Sequence, residues 1–259
     1  MRLAVVGTPV AHSLSPIIHT AAFDVCGIEG SYTAIDCDAD GFMDVVDALR
    51  SDELDGCNVT MPHKRLAHAV VDKLEPRAAR TGAVNTIVVA GSELVGHNTD
   101  IVGIIRAASD AGLPDGPVLV LGAGGAAAAA LVAFEGRPLH VSARRVGAAA
   151  AVIDRVGVGA TVTDFGVPVR GALIVNATPI GMHGEHLPDD LIDVASGLFE
   201  MPYASGVTPA TLAMRQLGRP VAVGVDMLVA QAIESFRLWT GCAPPAGPIL
   251  EALSARPSP

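Results

Sequence analysis

The sequence predicts an α/β fold with two domains and a C-terminal helix that returns to the first domain. Short apolar segments typical of strands alternate with longer amphipathic segments, which indicates mostly parallel sheets with helices on their faces. With 259 residues the chain is long for one hydrophobic core and sufficient for two. An uninterrupted apolar strand at residues 117–121 marks where the second domain opens.

Composition excludes several classes of protein. The net charge of −10, with no basic stretch to offset it, argues against a nucleic-acid binder. The charge-free run at residues 116–134 has glycines in its middle, which favours a strand, a turn and a helix over a membrane span. No CxxC spacing occurs, so we predict no metal site and four reduced, packed cysteines in a cytoplasmic protein. These are Cys26, Cys37, Cys57 and Cys242.

The first domain is predicted from its alternating segments. We expect strands at residues 3–6, 32–35 and 56–60, and a hairpin at residues 87–89 and 94–96. We expect helices at residues 16–26, 41–49, 65–74 and 102–111, the last of which leaves the first domain.

Ser13 and Ser15 lie beside the start of the first predicted helix. Ser15 before Pro16 is typical of a helix cap, and capping alone would explain it. Ser13 is not needed for that cap. Two hydroxyls beside one helix N-terminus therefore also favour a carboxylate or polyol site.

Lys64 is predicted to follow a strand end. Val59 and Thr60 favour an extended backbone, whereas Pro62 removes a ladder donor and ends the strand. Lys64 then falls in a loop or a first helical turn, where catalytic side chains tend to lie. A solvated surface charge is the alternative interpretation.

A glycine-rich turn joins the strand at residues 117–121 to a helix that runs through Phe134. Such a turn lets the backbone approach a pyrophosphate, whose charge is met by the helix N-terminus. This predicts a dinucleotide site in a Rossmann-type domain. The turn consists of Gly122, Ala123, Gly124, Gly125 and Ala126.

The residues after the next predicted strand, 139–142, indicate which dinucleotide binds. An acidic residue at this place would accept the ribose 2′-OH of NAD. The sequence has Ala143, Arg144 and Arg145 instead, and a guanidinium suits the 2′-phosphate of NADP. The alternative is that the two arginines are only solvent-exposed charges of a loop and bind no phosphate.

The rest of the chain continues the alternation. Further strands are predicted at residues 172–176, 198–201 and 221–223, with helices between them. Thr178 follows the first of these at the carboxyl edge of the sheet, where open α/β sheets bind ligands. The last helices are predicted at residues 227–240, with Gln231 beside the apolar face, and at residues 249–253.

Taken together, the chain resembles the shikimate dehydrogenase (shikimate/quinate dehydrogenase) family over nearly its whole length. The family reduces 3-dehydroshikimate to shikimate with NADPH in aromatic amino-acid (chorismate) biosynthesis, so the resemblance implies an NADP-dependent oxidoreductase. The motifs that carry it are Ser13-Leu14-Ser15-Pro16, Asn58-Val59-Thr60 with Lys64, Gly82-Ala83-Val84-Asn85-Thr86, Asn98-Thr99-Asp100, Gly122-Ala123-Gly124-Gly125-Ala126, Asn176-Ala177-Thr178 and Met227-Leu228-Val229-Ala230-Gln231-Ala232.

The resemblance implies roles for individual residues. Lys64 and Asp100 take the places of the catalytic pair, and Ser13 and Ser15 those of the carboxylate-binding residues. The residues that bind the ring hydroxyls correspond to Asn58, Thr60, Asn85 and Gln231. Tyr203 corresponds to the tyrosine that closes the substrate pocket. The cofactor-binding set is the glycine-rich turn with Arg144, Arg145, Thr178, Met201 and Gly224.

Hydride reduction of a ketone leaves a developing alkoxide, which needs a proton donor and a positive charge. An ammonium is both, so we expect Lys64 to be the main proton-transfer group. Whether Asp100 takes the proton or only positions Lys64 stays open.

The resemblance also divides the chain by function. Residues 1–101, completed by 227–259, correspond to the substrate-binding catalytic domain, and residues 102–226 to the NADP-binding Rossmann domain. The partners implied are a small-molecule substrate and NADP(H), without nucleic acid or membrane, in a monomer or a homodimer.

Several residues depart from the family pattern. Ala143 stands where an asparagine is usual, which leaves the strength of NADP selectivity open. Asp226 replaces a usual glycine and is expected to cap the helix that follows. Glu200, in place of an aspartate, and Ala204-Ser205, in place of asparagine-proline, are interpreted as tolerable loop changes.

Four other functions stay open at this point. The first two are quinate and aminoshikimate dehydrogenases of the same build that use NAD or NADP. The third is a cofactor-binding regulator of the same fold without catalysis, which the presence of both Lys64 and Asp100 disfavours. The fourth is a folate-type dehydrogenase, which the Ser13/Ser15 site disfavours.

Overall fold

The structure of the protein, a computed structural model, describes residues 1–202 and 207–255. The chain forms two compact units. The first comprises Met1–Thr99 and Val229–Pro259, and the second comprises Asp100–Leu228. Each unit contains a six-stranded sheet. Within the described ranges, no helix has the length and apolar character needed to cross a membrane.

The first unit alternates strands and helices up to a hairpin. Proline and glycine mark ends of its helices. Pro76 begins one helix, and Gly27 and Gly82, both in the left-handed backbone conformation, each end a helix. Its elements are β1 (Arg2–Gly7), α1 (Ser15–Cys26), β2 (Ser31–Asp36), α2 (Ala39–Arg50), β3 (Gly56–Val59), α3 (Lys64–Val70), β4 (Lys73–Leu74), α4 (Pro76–Thr81), β5 (Thr86–Ala90) and β6 (Glu93–His97).

The sheet of the first unit has the order β2-β1-β3-β5-β6-β4. The pairs of β1 with β2 and β3, and of β4 with β6, are parallel, whereas β5 is antiparallel to both neighbours. The sheet is therefore mixed, and the predicted hairpin is confirmed. Its core includes Val6, Phe42, Leu49, Val59 and Ile87.

The second unit is a parallel α/β domain. Its six strands pair only in parallel, in the order β12-β11-β10-β7-β8-β9, which is the doubly wound order of dinucleotide-binding domains. Its elements are α5 (Asp100–Asp110), β7 (Val118–Leu121), α6 (Gly125–Ala133), β8 (Leu139–Ser142), α7 (Val146–Val156), β9 (Ala160–Thr163), β10 (Leu173–Asn176), α8 (Asp189–Val194), β11 (Gly197–Glu200), α9 (Pro209–Gln216) and β12 (Val221–Val223).

Two helices complete the chain. α10 (Gly224–Thr240) begins in the second unit and ends in the first, and α11 (Ala246–Ser254) follows it. Ala232 and Phe236 of α10 are fully buried, as predicted for its apolar face. The C-terminal helix thus returns to the first unit.

Three predicted elements are wrong in extent. The helix expected at residues 65–74 ends at Val70, because residues 73–74 pair with β6 and Pro76 starts a separate helix, α4, that the sequence pattern did not reveal. α5 begins at Asp100 rather than at residue 102, and α10 at Gly224 rather than at Met227. The edge strand β9 was also missed, since none of its residues is fully buried.

The predicted state of the cysteines is wrong for two of the four. Cys26, the last residue of α1, and Cys242, just after α10, form a disulfide across 216 positions of sequence. Their spacing gave no signal because the pair is brought together only by the packing of the C-terminal segment on α1. Cys37 and Cys57 are free, and Cys57 is buried as predicted.

Candidate active site residues in the two units

Lys64 is the first residue of α3, soon after β3 and the Met61-Pro62 turn. Its carbonyl oxygen accepts a hydrogen bond from Val84 N at 2.9 Å, which ties the helix start to the segment that carries Asn85. The side chain is partly buried. The predicted position of Lys64 in a first helical turn is confirmed.

Thr60 directly follows β3, and its backbone N–H donates to Val6 O at 2.9 Å. Gly7 stands beside it, where an added Cβ would overlap Thr60 Cγ2 and lie 2.7 Å from Met61 O. The absence of a side chain at Gly7 therefore allows the strand ends to approach closely. Thr60 is placed in the same turn as Lys64.

The helix cap predicted at Ser15 is wrong. α1 begins at Ser15 itself, and its side chain does not cap the helix. Ser13 Oγ instead accepts a hydrogen bond from Ser15 N at 3.2 Å, because the turn before the helix brings this hydroxyl to one of the first unpaired N–H groups. Ser15 is buried and Ser13 partly buried, and both residues lie at the N-terminus of α1.

Six buried polar side chains of the first unit form an amide–hydroxyl cluster. They are Asn58, Asn85, Thr86, Thr99, Gln231 and Ser235. Asn85 Nδ2 donates to Thr99 Oγ1 at 2.9 Å, and Thr99 N donates to Asn85 Oδ1 at 2.7 Å. Thr99 Oγ1 donates to Gln231 Oε1 at 3.1 Å. The cluster joins three of the predicted site residues, Asn58, Asn85 and Gln231.

Asn58 is held at both ends of its side-chain amide. Its Nδ2 lies 3.0 Å from Thr86 Oγ1 and 3.2 Å from Asn85 O, whereas its Oδ1 accepts from the Tyr32 hydroxyl at 2.7 Å. The ring of His19 stacks on Tyr32 with centroids 4.2 Å apart. Burial raises the pKa of Tyr32 and lowers the pKa of His19 to about 3, so both rings stay uncharged near neutral pH.

In the second unit, the glycine-rich turn lies at the switch point of the sheet. Gly122 has φ 113°, and an added Cβ would lie 2.8 Å from Ala177 O and 3.3 Å from Thr178 Cγ2. The turns after β7 and β10 therefore touch at the carboxyl ends of adjacent strands, where the strand order reverses. Gly124 precedes α6, whose N-terminus faces this junction.

Asn176, Thr178 and Ile180 form a compact turn, here named the Asn176 turn, which Glu200 supports. Asn176 Oδ1 accepts from Thr178 N at 3.1 Å and from Thr178 Oγ1 at 2.6 Å. Its Nδ2 donates to Ile180 O and to Glu200 Oε1, both at 2.9 Å. The interpretation of Glu200 as a loop change is wrong, because it is the buried last residue of β11.

The carboxyl group of Glu200, which is hydrogen-bonded to the Asn176 turn, has a shifted pKa. Burial raises its pKa to about 7, while hydrogen bonds from Asn176 and Thr208 oppose the rise. The group therefore changes charge near neutral pH, directly beside the amide that holds Thr178.

Met201 and Gly224 meet at the ends of neighbouring strands. An added Cβ at Gly224 would overlap Met201 O, so only glycine fits there. Asp226, in the first turn of α10, is exposed, and its Oδ2 accepts from Val223 N at 3.3 Å. The predicted cap is wrong in position, because the helix starts two residues before Asp226 and the carboxylate reaches back instead.

Arg144 and Arg145 are exposed after β8, and Arg145 is the residue before α7. Asp100 is buried at the first residue of α5 and directly follows Thr99 in the chain. Tyr203 and the Ala204-Ser205 change lie outside the described residues.

Four members of the first unit's site were not predicted as site residues. Tyr32 is predicted from the sequence only as a strand residue, and Thr86 and Thr99 only as parts of motifs. Ser235 carried a usable signal, since it lies four residues after Gln231 and thus on the same face of α10.

The fold and these residues define a class: an α/β protein with a Rossmann-type dinucleotide-binding unit and a second unit rich in buried amides and hydroxyls. Two family models match, described as Shikimate dehydrogenase substrate binding domain, over residues 5–87, and as Shikimate 5′-dehydrogenase C-terminal domain, over residues 224–253. A Shikimate dehydrogenase (NADP(+)) of Geobacter sp. (strain M21) is 37% identical, over 97% of this chain and 94% of its own. The chain therefore belongs to the shikimate dehydrogenase family.

Solved structures agree with this assignment. Shikimate 5-dehydrogenase from Thermus thermophilus in complex with NADP(H) and shikimate is 35% identical, with a TM-score of 0.90 over 98% of both chains. Quinate dehydrogenase from Corynebacterium glutamicum in complex with NAD is 27% identical, with a TM-score of 0.88 over 99% of both chains. The fold class predicted from the sequence is confirmed.

Proposed function

We propose that this chain catalyses the reversible, NADP-dependent reduction of 3-dehydroshikimate to shikimate, a step of aromatic amino-acid biosynthesis. The observation that carries the proposal is the amide–hydroxyl cluster of the first unit. It brings uncharged donors and acceptors from three distant segments together, and Val84, next to Asn85, is bonded to Lys64 O. A ring with several hydroxyls requires such groups in fixed directions.

The substrate-binding roles follow from chemistry. Ser13 and Ser15 offer hydroxyls at the N-terminus of α1, where a carboxylate is favoured by the helix dipole. The ring hydroxyls are assigned to Asn58, Thr60, Asn85 and Gln231. Asn58 Oδ1 has a second lone pair beyond the one that Tyr32 uses, so one further donor can bond there. Tyr203 is assigned to closing the pocket.

The catalytic step requires one proton. Hydride addition to the ketone carbon opens the C=O π bond and leaves an alkoxide oxygen, which takes the proton. We assign its donation to the Lys64 ammonium, which also stabilises the negative charge as it develops. Asp100 is assigned as the second member of the pair: either it takes the proton in place of Lys64 in the reverse reaction, the oxidation of the alcohol, or it only positions Lys64.

The second unit has the features that fit NADPH, which supplies the hydride when it is bound. The close approach of Gly122 to Ala177 and the open space at Gly124 and Gly125 leave room for a pyrophosphate against the backbone. The residues assigned to cofactor binding are Gly122, Ala123, Gly124, Gly125, Ala126, Arg144, Arg145, Thr178, Met201 and Gly224. Exposed guanidinium groups after β8 suit a 2′-phosphate.

The domain roles, compartment and assembly belong to the same proposal. We assign substrate binding to residues 1–101 with 227–259, and NADP binding to residues 102–226. We place the enzyme in the cytoplasm as a monomer or homodimer, which sedimentation velocity distinguishes. Cell fractionation followed by immunoblotting tests the compartment: recovery in the cytosolic fraction supports it, and recovery in a membrane or secreted fraction contradicts it.

A steady-state assay tests the activity. Shikimate and quinate are each offered with NADP and with NAD, and nicotinamide reduction is followed by absorbance. The shikimate–NADP pair is expected to have the highest kcat/KM. Absence of turnover with all four pairs would contradict catalysis and favour a cofactor-binding regulator.

A second candidate is a quinate or aminoshikimate dehydrogenase that uses NAD. Ala143 favours it, because this buried methyl adds no polar contact beside Arg144 where a nucleotide 2′-phosphate would lie. A kcat/KM higher for quinate–NAD than for shikimate–NADP would support this candidate.

A further inference from the structure

Ser235 lies at the centre of the amide–hydroxyl cluster, although no substrate-binding role is assigned to it. It is fully buried on α10, one turn after Gln231. Its hydroxyl lies 3.0 Å from Asn58 Nδ2, 3.0 Å from Thr86 Oγ1, 3.1 Å from Thr99 Oγ1 and 3.0 Å from Gln231 O. Two of these four neighbours have fixed hydrogen-bonding roles, since an amide nitrogen only donates and a carbonyl oxygen only accepts.

The proton count makes Ser235 the link between two parts of the cluster. A hydroxyl has one proton and two lone pairs. If Ser235 donates to Gln231 O, it accepts from Asn58 and from one threonine hydroxyl. The threonine is Thr86, because the single proton of Thr99 is given to Gln231 Oε1. The same oxygen of Ser235 then fixes the direction of the Asn58 amide.

The opposite end of Asn58 is fixed independently. Tyr32 OH donates to Oδ1 at 2.7 Å, and the Tyr32 ring is held under His19. Ser235, on α10, therefore supplies a hydrogen-bond acceptor for Asn58 Nδ2. The two residues are 177 positions apart in the sequence. Without it, the acceptors left for Asn58 Nδ2 within the described part of the chain are Thr86 Oγ1 on β5 and the carbonyl oxygen of Asn85, just before β5.

We propose that Ser235 is a positioning residue for the substrate: it orients the side-chain amide of Asn58, without touching the substrate itself. The inference rests on the proposed function, because Asn58 is one of the residues assigned to the ring hydroxyls. Ser235 is thus predicted to determine substrate affinity while leaving the cofactor site of the second unit unchanged.

Two substitutions at Ser235 separate hydrogen bonding from packing. Ser235→Ala removes the hydroxyl, and Ser235→Cys fills its space with a weak donor and acceptor. Both are expected to raise KM for shikimate by about three- to tenfold, the loss expected for one buried hydrogen bond. KM for NADP is expected to stay within about twofold of wild type, and kcat to change less than KM for shikimate.

Ser254→Ala is the matched control. Ser254 is an exposed helical serine whose hydroxyl donates to Leu250 O at 2.8 Å. Ser235 makes the same kind of bond to Gln231 O, but Ser254 is not a member of the amide–hydroxyl cluster. Its KM values are expected to equal those of wild type. Melting curves by circular dichroism show that each variant is folded.

The outcomes are separable. Wild-type turnover of shikimate with unchanged KM in both Ser235 variants overturns the positioning role alone. A Ser235→Cys variant equal to wild type beside an impaired Ser235→Ala variant assigns the effect to packing and also overturns it. Equal rises in both KM values would mean that the substitution disturbs both units, which contradicts it as well. A wild-type chain without shikimate turnover overturns the proposed function and this inference together.

Discussion

The amide–hydroxyl cluster of the first unit and the Asn176 turn of the second both hold buried polar groups in fixed directions, but with different chemistry. The cluster consists of neutral amides and hydroxyls, backed by Tyr32 and His19, whose pKa values are moved away from neutrality by burial. The Asn176 turn depends on Glu200, whose pKa is raised to about 7. Neutral groups keep their hydrogen bonds at all physiological pH values, whereas a buried carboxyl group does not.

The contrast predicts that changes in the two units have separable consequences. Changes in the first unit should alter turnover or KM for shikimate, and changes in the second should alter cofactor affinity or the dependence of stability on pH. Variants at Lys64, Arg144, Glu200 and Asp226 test this separation, and removal of the disulfide tests the stability of the first unit.

The largest effect is expected at Lys64. Lys64→Ala should lower kcat by about 10²–10⁴-fold, because it removes the group that we propose as the proton donor to the developing alkoxide. KM for NADP should stay near wild type, as measured by steady-state kinetics. Lys73→Ala is the control, since Lys73 is an exposed lysine of the same unit, paired with Glu93 at 2.6 Å. A Lys64→Ala variant within a few-fold of wild type would remove Lys64 from the mechanism.

The disulfide should stabilise the first unit. It joins residues 216 positions apart, so reduction or Cys26→Ser should lower the free energy of unfolding by about 2–4 kcal/mol. Urea unfolding with and without dithiothreitol measures this. Cys37→Ser is the control, since Cys37 is free. Equal unfolding midpoints for wild type and Cys26→Ser under oxidising conditions would contradict the prediction.

The pH dependence of stability should come from Glu200. Its folded pKa of about 7 lies above the ordinary value of 4.5, so the folded state holds the proton more tightly than the unfolded state. The contribution of this group to the free energy of unfolding is fully present below about pH 4.5 and is lost as the pH rises through about 7. The loss should be about 3 kcal/mol.

Glu200→Gln keeps the size and shape of the side chain but cannot titrate. It should therefore remove this dependence of the free energy of unfolding on pH. The comparison is the difference between the wild-type and variant free energies of unfolding at pH 5 and at pH 7.5. A difference that stays constant between these pH values would contradict the raised pKa.

Arg144 should determine the choice between NADP and NAD. Arg144→Ala removes the charge-assisted hydrogen bond that we propose to the 2′-phosphate, so KM for NADP should rise about ten- to hundredfold while KM for NAD is nearly unchanged. Arg145→Ala is the parallel variant, and a larger effect there would move the assignment by one residue. An equal rise for both cofactors would show that neither arginine selects the 2′-phosphate.

Much of the fold could be predicted because the strands are short apolar runs bounded by proline and glycine. The turn at Gly122 and the position of Lys64 in a first helical turn follow from local patterns, and the structure has both. Elements without a local apolar signal were missed, such as β9, whose residues are partly or fully exposed, and β4, which exists only through pairing with β6.

The candidate site could be predicted only in part, for a related reason. The resemblance supplies residues that carry motifs, but the contacts of Ser235 with Asn58 and of Glu200 with Asn176 depend on packing between distant segments. The same holds for the disulfide between Cys26 and Cys242. Nothing in residue type alone distinguishes such side chains from ordinary helix or strand residues.

The smallest effect is expected at Asp226, and it tests whether the second unit contains a further charge that acts on the cofactor. The carboxylate accepts from Val223 N at 3.3 Å and lies near the positive end of α10, so its role is to stabilise the helix start. Asp226→Ala should cost about 0.5–1 kcal/mol, seen as a lower melting temperature. Asp38→Ala is the matched control in the first unit, where Asp38 caps α2 through Gly41 N at 3.1 Å.

A different result would follow if the Asp226 carboxylate acted on the nicotinamide instead. A negative charge there favours the oxidised, cationic ring, so Asp226→Ala would then weaken NADP relative to NADPH. Titration of both cofactors by fluorescence distinguishes the two roles. We expect an unchanged NADP-to-NADPH affinity ratio with a lower melting temperature. A several-fold change in that ratio with an unchanged melting temperature would assign Asp226 to the cofactor site.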